Sequence, residues 1–224
     1  FSINNPNFDM GIHLTVTSEW KYHKWGGVLK NNDISSILNS KNHFYWNKRK
    51  FTKNGKLNEI RKELQAQIDL GISMGFNPSH IDSHEGALFF DPDIFRMYLD
   101  LAKQNDLLAF VPIQASVHFN KDFEKPKHAI IIDQFHMLPE GTEINEIKDY
   151  YFDTIESLKP GLSQIIIHLG KDDEELRKIT VDHPNFDYRW RQLDFDIFNS
   201  DEFKNHIKEN NIKIITWEDL KKLI

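Results

Sequence analysis

The chain has 224 residues, of which 39% are hydrophobic and 28% charged, and its seventeen Phe, five Trp and six Tyr can fill the core of one large domain over residues 1–224. A formal net charge of −6, with Lys and Arg scattered along the chain, removes the attraction that nucleic acid or an anionic membrane requires, so neither is expected as a partner. Cysteine is absent, which excludes disulfides, thiolate zinc sites and thiol nucleophiles and leaves His and carboxylates as the strong metal ligands.

No apolar run approaches the roughly 20 residues that span a bilayer. The opening "FSINNPNFDMG" lacks an initiator Met and reads as the interior of a domain, so a longer parent protein is expected. "FDMGIHLTVT" (Phe8 to Thr17) is β-branched and apolar, a buried strand carrying His13 and closed by the polar Ser18 and Glu19. From Glu19 to Gly55 aromatics, lysines and glycines mix without a period, the pattern of a long functional loop. In "LNEIRKELQAQIDLGISMG", Leu57, Ile60, Leu64 and Ile68 form the stripe of an amphipathic helix. "FNPSHIDSH" comes next as turn and strand. "DPDIFRMYLDLAKQND" reads as a helix with Asp91 as N-cap and Pro92 at its first position.

"LLAFVPI" is the next strand, and "HAIIIDQF" (His128 to Phe135) another. "TEINEIKDYYFDTIESLKPG" is a helix with Thr142 as its cap and Pro160-Gly161 as its stop. "LSQIIIHLG" is a strand ending in His168. The tail predicts a helix over Asp201 to Glu209, a strand "IKIIT", and a short helix from Trp217. Strands alternating with helices imply an α/β fold with a parallel sheet or barrel, whose reactive residues gather at the carboxyl ends of the strands.

Three such strands each deliver a histidine near an end. His80, Asp82 and His84 share one face of a strand by its period of two and suit a divalent cation, although a hydrogen-bonded surface patch has the same composition. His13 in "MGIHLTV" and His168 in "IIIHLG" each have a core alternative, and the case for a site rests on their convergence.

"DMGIHLTVTSEW", "HIDSHEG" and "IIIHLGKDDEEL" together resemble three blocks of the YdjC-like carbohydrate deacetylases, the family of chitooligosaccharide deacetylase, and "YRWRQLDFDIF" resembles a fourth through Arg191 and Asp194. The resemblance implies a distorted, incomplete (β/α) barrel with one divalent metal ion, Mg or Zn, and hydrolysis of the N-acetyl group of an acetylated sugar. Carried over, His13 and His84 would be metal ligands, His80 and Asp82 would surround the second of them, and His168 would be the general acid for the leaving amine. The aromatic loop with Trp20, Tyr22, Trp25, Tyr45 and Trp46 could stack on sugar rings or fill the core. The family's Asp-Asp pair, which supplies a third ligand and the base, would lie before Phe1 together with the first strand and helix, so the chain by itself is expected to lack turnover. Glu85, standing where other members carry histidine, is a candidate replacement carboxylate. The expected partner is an N-acetylated sugar, with a homodimer as the assembly and a cytoplasmic setting. Two alternatives stay open: a noncatalytic carbohydrate-binding relative, and a metal-dependent hydrolase of another amide or ester.

Overall fold

A computed structural model describes residues 4–5, 7–183 and 185–224. They gather into two compact units, one built from the residues up to Glu19, Lys24–Ile131 and Ile215–Ile224, the other from Trp20–His23 and Ile132–Ile214.

The first unit opens with β1 (Gly11–Leu14), shorter than the apolar run that predicts it. Thr17 continues the extended path only as an isolated bridge to Tyr45. The loop after it is less irregular than its sequence, because Asn47 accepts a hydrogen bond from the Lys50 amide and starts α1 (Lys48–Asn54). Next come α2 (Leu57–Ser73), β2 (His80–Ser83), α3 (Pro92–Gln104), β3 (Leu108–Pro112) and β4 (Ala129–Ile132). Asp91 caps α3 as expected, accepting from the Asp93 and Ile94 amides. The sheet order is β1-β2-β3-β4, with the β1/β2 and β2/β3 pairs parallel. Ile60, Leu64 and Ile68 of α2 and Phe95, Tyr98 and Leu101 of α3 are buried in one apolar cluster with Leu14, Ile81 and Val111 of the strands.

The second unit pairs β5 (Gln134–Met137) in parallel with β6 (Ser163–Ile166), so the strand expected over His128 to Phe135 divides between two sheets at Asp133. The Leu162 amide donates to Asp133 Oδ2, and the Asp133 amide donates to Leu162 O, which begins the new pairing. Between them lies α4 (Ile147–Ser157). Its expected cap, Thr142, instead donates to Pro139 O, and a 3-10 turn at Ile144–Glu146 leads into the helix. The unit continues with α5 (Glu174–Ile179), α6 (Tyr188–Asn199) and α7 (Asp201–Glu209). Tyr151, Trp190, Ile197 and Phe203 centre this unit's own core.

"IKIIT" is not a strand. It meets no partner strand among the described residues, and Ile214 is exposed. The chain ends in α8 (Trp217–Lys221), which belongs with the first unit. Asp9 receives the Trp217 and Glu218 amides at the start of α8 and also the Ser79 hydroxyl. No helix among the described residues is long and apolar enough to cross a membrane.

Candidate metal centre

The parallel register sets His13 of β1 opposite Asp82 of β2. Their side chains meet: His13 Nδ1 lies 2.7 Å from Asp82 Oδ1. An ionised carboxylate only accepts, so this nitrogen carries a proton, and Nε2 is the ring's second nitrogen, bare when the imidazole is neutral. Burial pushes the His13 pKa down, but the hydrogen bond and charge of Asp82, with the charge of Glu19, carry it above its ordinary value of 6.5.

His84 stands just past β2, in a 3-10 turn that includes Glu85 and Gly86 at φ 52° and 64°. Left-handed backbone at two successive residues ends the strand's two-residue alternation at this point. His84 Nδ1 lies 3.1 Å from His13 Nε2, and its Nε2 lies 2.9 Å from Glu19 Oε2. Glu85 Oε2 accepts the Thr17 hydroxyl at 2.7 Å, and Lys48 Nζ donates to Glu85 O at 3.1 Å. Glu19, His84 and Glu85 each place one ligand atom within 4.8 Å of the others. The Trp25 ring stands edge-on to His84, 6.2 Å between centroids.

Two nitrogens bound to one zinc at about 2.0–2.1 Å, at angles between octahedral and tetrahedral, stand roughly 2.9–3.4 Å apart. The 3.1 Å between His13 Nε2 and His84 Nδ1 falls in that range. That spacing is compatible with a shared cation and is also that of an N–H···N hydrogen bond; the donor atoms of Glu19, His84 and Glu85 could hold a divalent cation. The Asp-Asp strand expected upstream lies outside the described residues.

His80 shares the half-buried face of β2 with Asp82, but it takes other partners. Its Nδ1 meets Ser79 Oγ at 2.8 Å and its ring stacks on Trp217, centroids 4.3 Å apart and planes 15° apart. Burial pushes its pKa below the ordinary value, against the pull of Asp82 and Asp9. Gly11 lies beside it in register, and a methyl there would overlap the His80 ring.

His168, Arg191, Asp194 and Trp20 belong to the second unit. His168 lies just past β6, its backbone N–H donating to Asp194 Oδ2 at 2.8 Å and its ring lying 4.7 Å from Phe186. Asp194 is fully buried on α6 and also accepts the Tyr151 hydroxyl at 2.7 Å. Burial pushes the Asp194 carboxyl up, and those two donors with the nearby Arg191 charge oppose the rise. Arg191 Nε donates to Phe186 O, and its guanidinium lies over the Trp20 ring, which also packs against His183. Of the aromatic loop, Trp25 and Tyr45 pack against the first core, Tyr22 donates to Asp182, and Trp46 is 59% exposed. A cavity of about 510 Å³ beside α2, lined by Leu29, Arg61 and Gln65, contains none of these residues.

Sequence reasoning passed over Glu19 and Thr17. The available signal was their spacing of two in "TSE", which turns both side chains to one face of an extended segment.

A family model described as YdjC-like protein matches residues 2–209. The carbohydrate deacetylase of Clostridium beijerinckii is 24% identical over 221 residues, covering 96% of this chain and 80% of that one. That of Thermoanaerobacter pseudethanolicus is 22% identical over 231 residues, covering 96% and 79%. The carbohydrate deacetylase of Vibrio parahaemolyticus is 26% identical over 156 residues, and the match spans only 57% of its length. A crystal structure from Enterococcus faecalis V583, provisionally described as a cellobiose-phosphate cleavage protein, superposes with a TM-score of 0.73 at 21% identity, covering 96% of this chain and 78% of that one. That structural match carries the fold, and the family model carries the kinship: this α/β protein belongs to the YdjC-like family.

Proposed function

We propose that the protein is a hydrolase that removes the acetyl group from an N-acetylated sugar or oligosaccharide, releasing acetate and a free amine. The observation that carries this reading is the pair of opposed imidazole nitrogens, each backed by a carboxylate, in a chain whose curated relatives are named carbohydrate deacetylases. His13 and His84 would hold one divalent cation, magnesium or zinc. When bound, such an ion supplies a polarising charge and lowers the pKa of a water.

The remaining work falls to the chain. Asp82 keeps a proton on His13 Nδ1, so that Nε2 is bare when the ring is neutral. His168 is the candidate acid for the departing nitrogen, and its backbone is tied to Asp194. Trp46 offers an exposed flat ring that matches the apolar face of a pyranose. The reading also includes a single deacetylase domain over residues 1–224 of the distorted, incomplete β/α barrel type, and a homodimer.

The test is acetate release from N-acetylchitooligosaccharides with added Mg or Zn, for the protein and for its His84→Ala variant. Activity that falls about a thousandfold or more on loss of the ligand supports the reading. Retained sugar binding with no acetate release from either protein would replace it with a binding function.

A further inference from the structure

We propose that Glu19 is a positioning residue that fixes the proton and the ring orientation of His84, and is not itself a metal ligand. The inference rests on the reading of His13 and His84 as the ligand pair.

The segment carrying Glu19 is held firmly. Thr17 bridges Tyr45 in parallel, and the Ser18 amide donates to Tyr45 O at 2.9 Å. Ser18 is fully buried, and its Oγ accepts the Trp25 amide at 3.1 Å. With Ser18 turned inward, Thr17 and Glu19 point the other way, two residues apart on one face. They reach successive residues of the turn after β2: Glu19 meets His84 at 2.9 Å and Thr17 meets Glu85 at 2.7 Å.

A carboxylate against His84 Nε2 requires that nitrogen to be the donor, which leaves Nδ1 bare and facing His13 Nε2. Asp82 does the same to His13 from the opposite nitrogen. In their neutral forms the two rings would thus be opposite tautomers, Nδ1–H in His13 and Nε2–H in His84; His13 Nε2 and His84 Nδ1 face each other at 3.1 Å, so in the absence of an ion a proton on His13 Nε2 is shared between them. Two carboxylate–histidine pairs converging in this way are the arrangement that orients imidazoles toward an ion. The competing arrangement, with Glu19, His84 Nε2 and Glu85 as ligands, needs the proton between Nε2 and Glu19 removed and Glu85 drawn from Thr17.

The experiment compares the wild-type chain with Glu19→Gln and Glu19→Ala, each shown to be folded by its urea transition. Histidine-ring 15N spectra of the metal-free proteins report the tautomer, and calorimetry with zinc ion reports affinity. Glutamine keeps an acceptor oxygen, so Glu19→Gln is expected to retain the Nε2–H tautomer of His84 and a zinc affinity within a few-fold of wild type. Glu19→Ala is expected to lose the fixed tautomer and to bind zinc about 10–100-fold more weakly at unchanged stoichiometry. Equal, severe loss of zinc in both variants would make Glu19 a ligand and overturn the proposal. An unchanged tautomer in Glu19→Ala would overturn it as well. Should the wild-type chain take up no zinc, the metal reading of the site fails for this chain, while the tautomer comparison still decides what Glu19 does.

Discussion

His13 answers to two opposed demands. Its proton on Nδ1 is held by Asp82, whereas under the proposed metal reading Nε2 would have to be bare to take a cation. Because the imidazole pKa is raised above 6.5, a proton on Nε2 would compete with an ion at that nitrogen. Cation affinity is therefore expected to fall about tenfold per unit as pH drops below the raised value, one proton being displaced per ion. Without a cation the sign reverses: the protonated imidazole stabilises the fold fully below 6.5, and that contribution is lost as pH rises through the raised value. Zinc titrations between about pH 5 and 8, with Asp82→Asn as comparison, check this. The variant should hold the ion to lower pH. At this scale strand alternation and histidine chemistry pick out His13, Asp82 and His84 in the sequence, and the structure brings their side chains together. It reads poorly for Glu19, because a carboxylate closing a strand looks like an exposed surface residue until its partner, 65 positions away, is in place.

On the scale of elements, α2 does more than its apolar stripe predicts. Glu59, Glu63 and Gln67 repeat every four residues alongside Ile60, Leu64 and Ile68, so a polar row is carried into the interior with the apolar one. Glu63 is 0% exposed and accepts the Val28 amide at 2.8 Å, the Leu29 amide at 3.0 Å and Gln67 Nε2 at 2.9 Å. Gln67 in turn accepts the Thr15 amide and donates to Thr15 O just beyond β1, while Glu59 accepts the Ser36 amide. The loop that lacks periodicity is thus ordered from outside, by a helix. Glu63→Ala should cost roughly 3 kcal/mol in urea unfolding, by stranding buried donors, and Glu63→Gln about 1 kcal/mol. Exchange of the Val28 and Leu29 amides should quicken in the first variant. α6, which is not among the helices predicted from the sequence, also buries a carboxylate: Asp194 on its inner face is accommodated by Tyr151 and the His168 amide.

At the scale of the whole molecule, each unit has its own apolar cluster. Phe203 is fully buried in the second cluster, its ring centroid 4.7 Å from that of Phe198 and 5.3 Å from that of Phe152. Phe203→Ala is expected to destabilise that unit by about 3–5 kcal/mol, read as faster hydrogen exchange across α4, α6 and α7. The sequence by itself determined the α/β class, the helices α2, α3 and α7 and the family, because these depend on local periodicity, capping and short motifs. Tertiary structure alone decided where the apolar run after His128 changes sheets, that "IKIIT" meets no partner strand among the described residues, that Glu19 reaches His84 and that Glu63 faces inward. The reason is common to all of them. Pairing of strands and burial of a carboxylate are settled by partners distant in sequence, and the residues that need those partners carry no local mark of them.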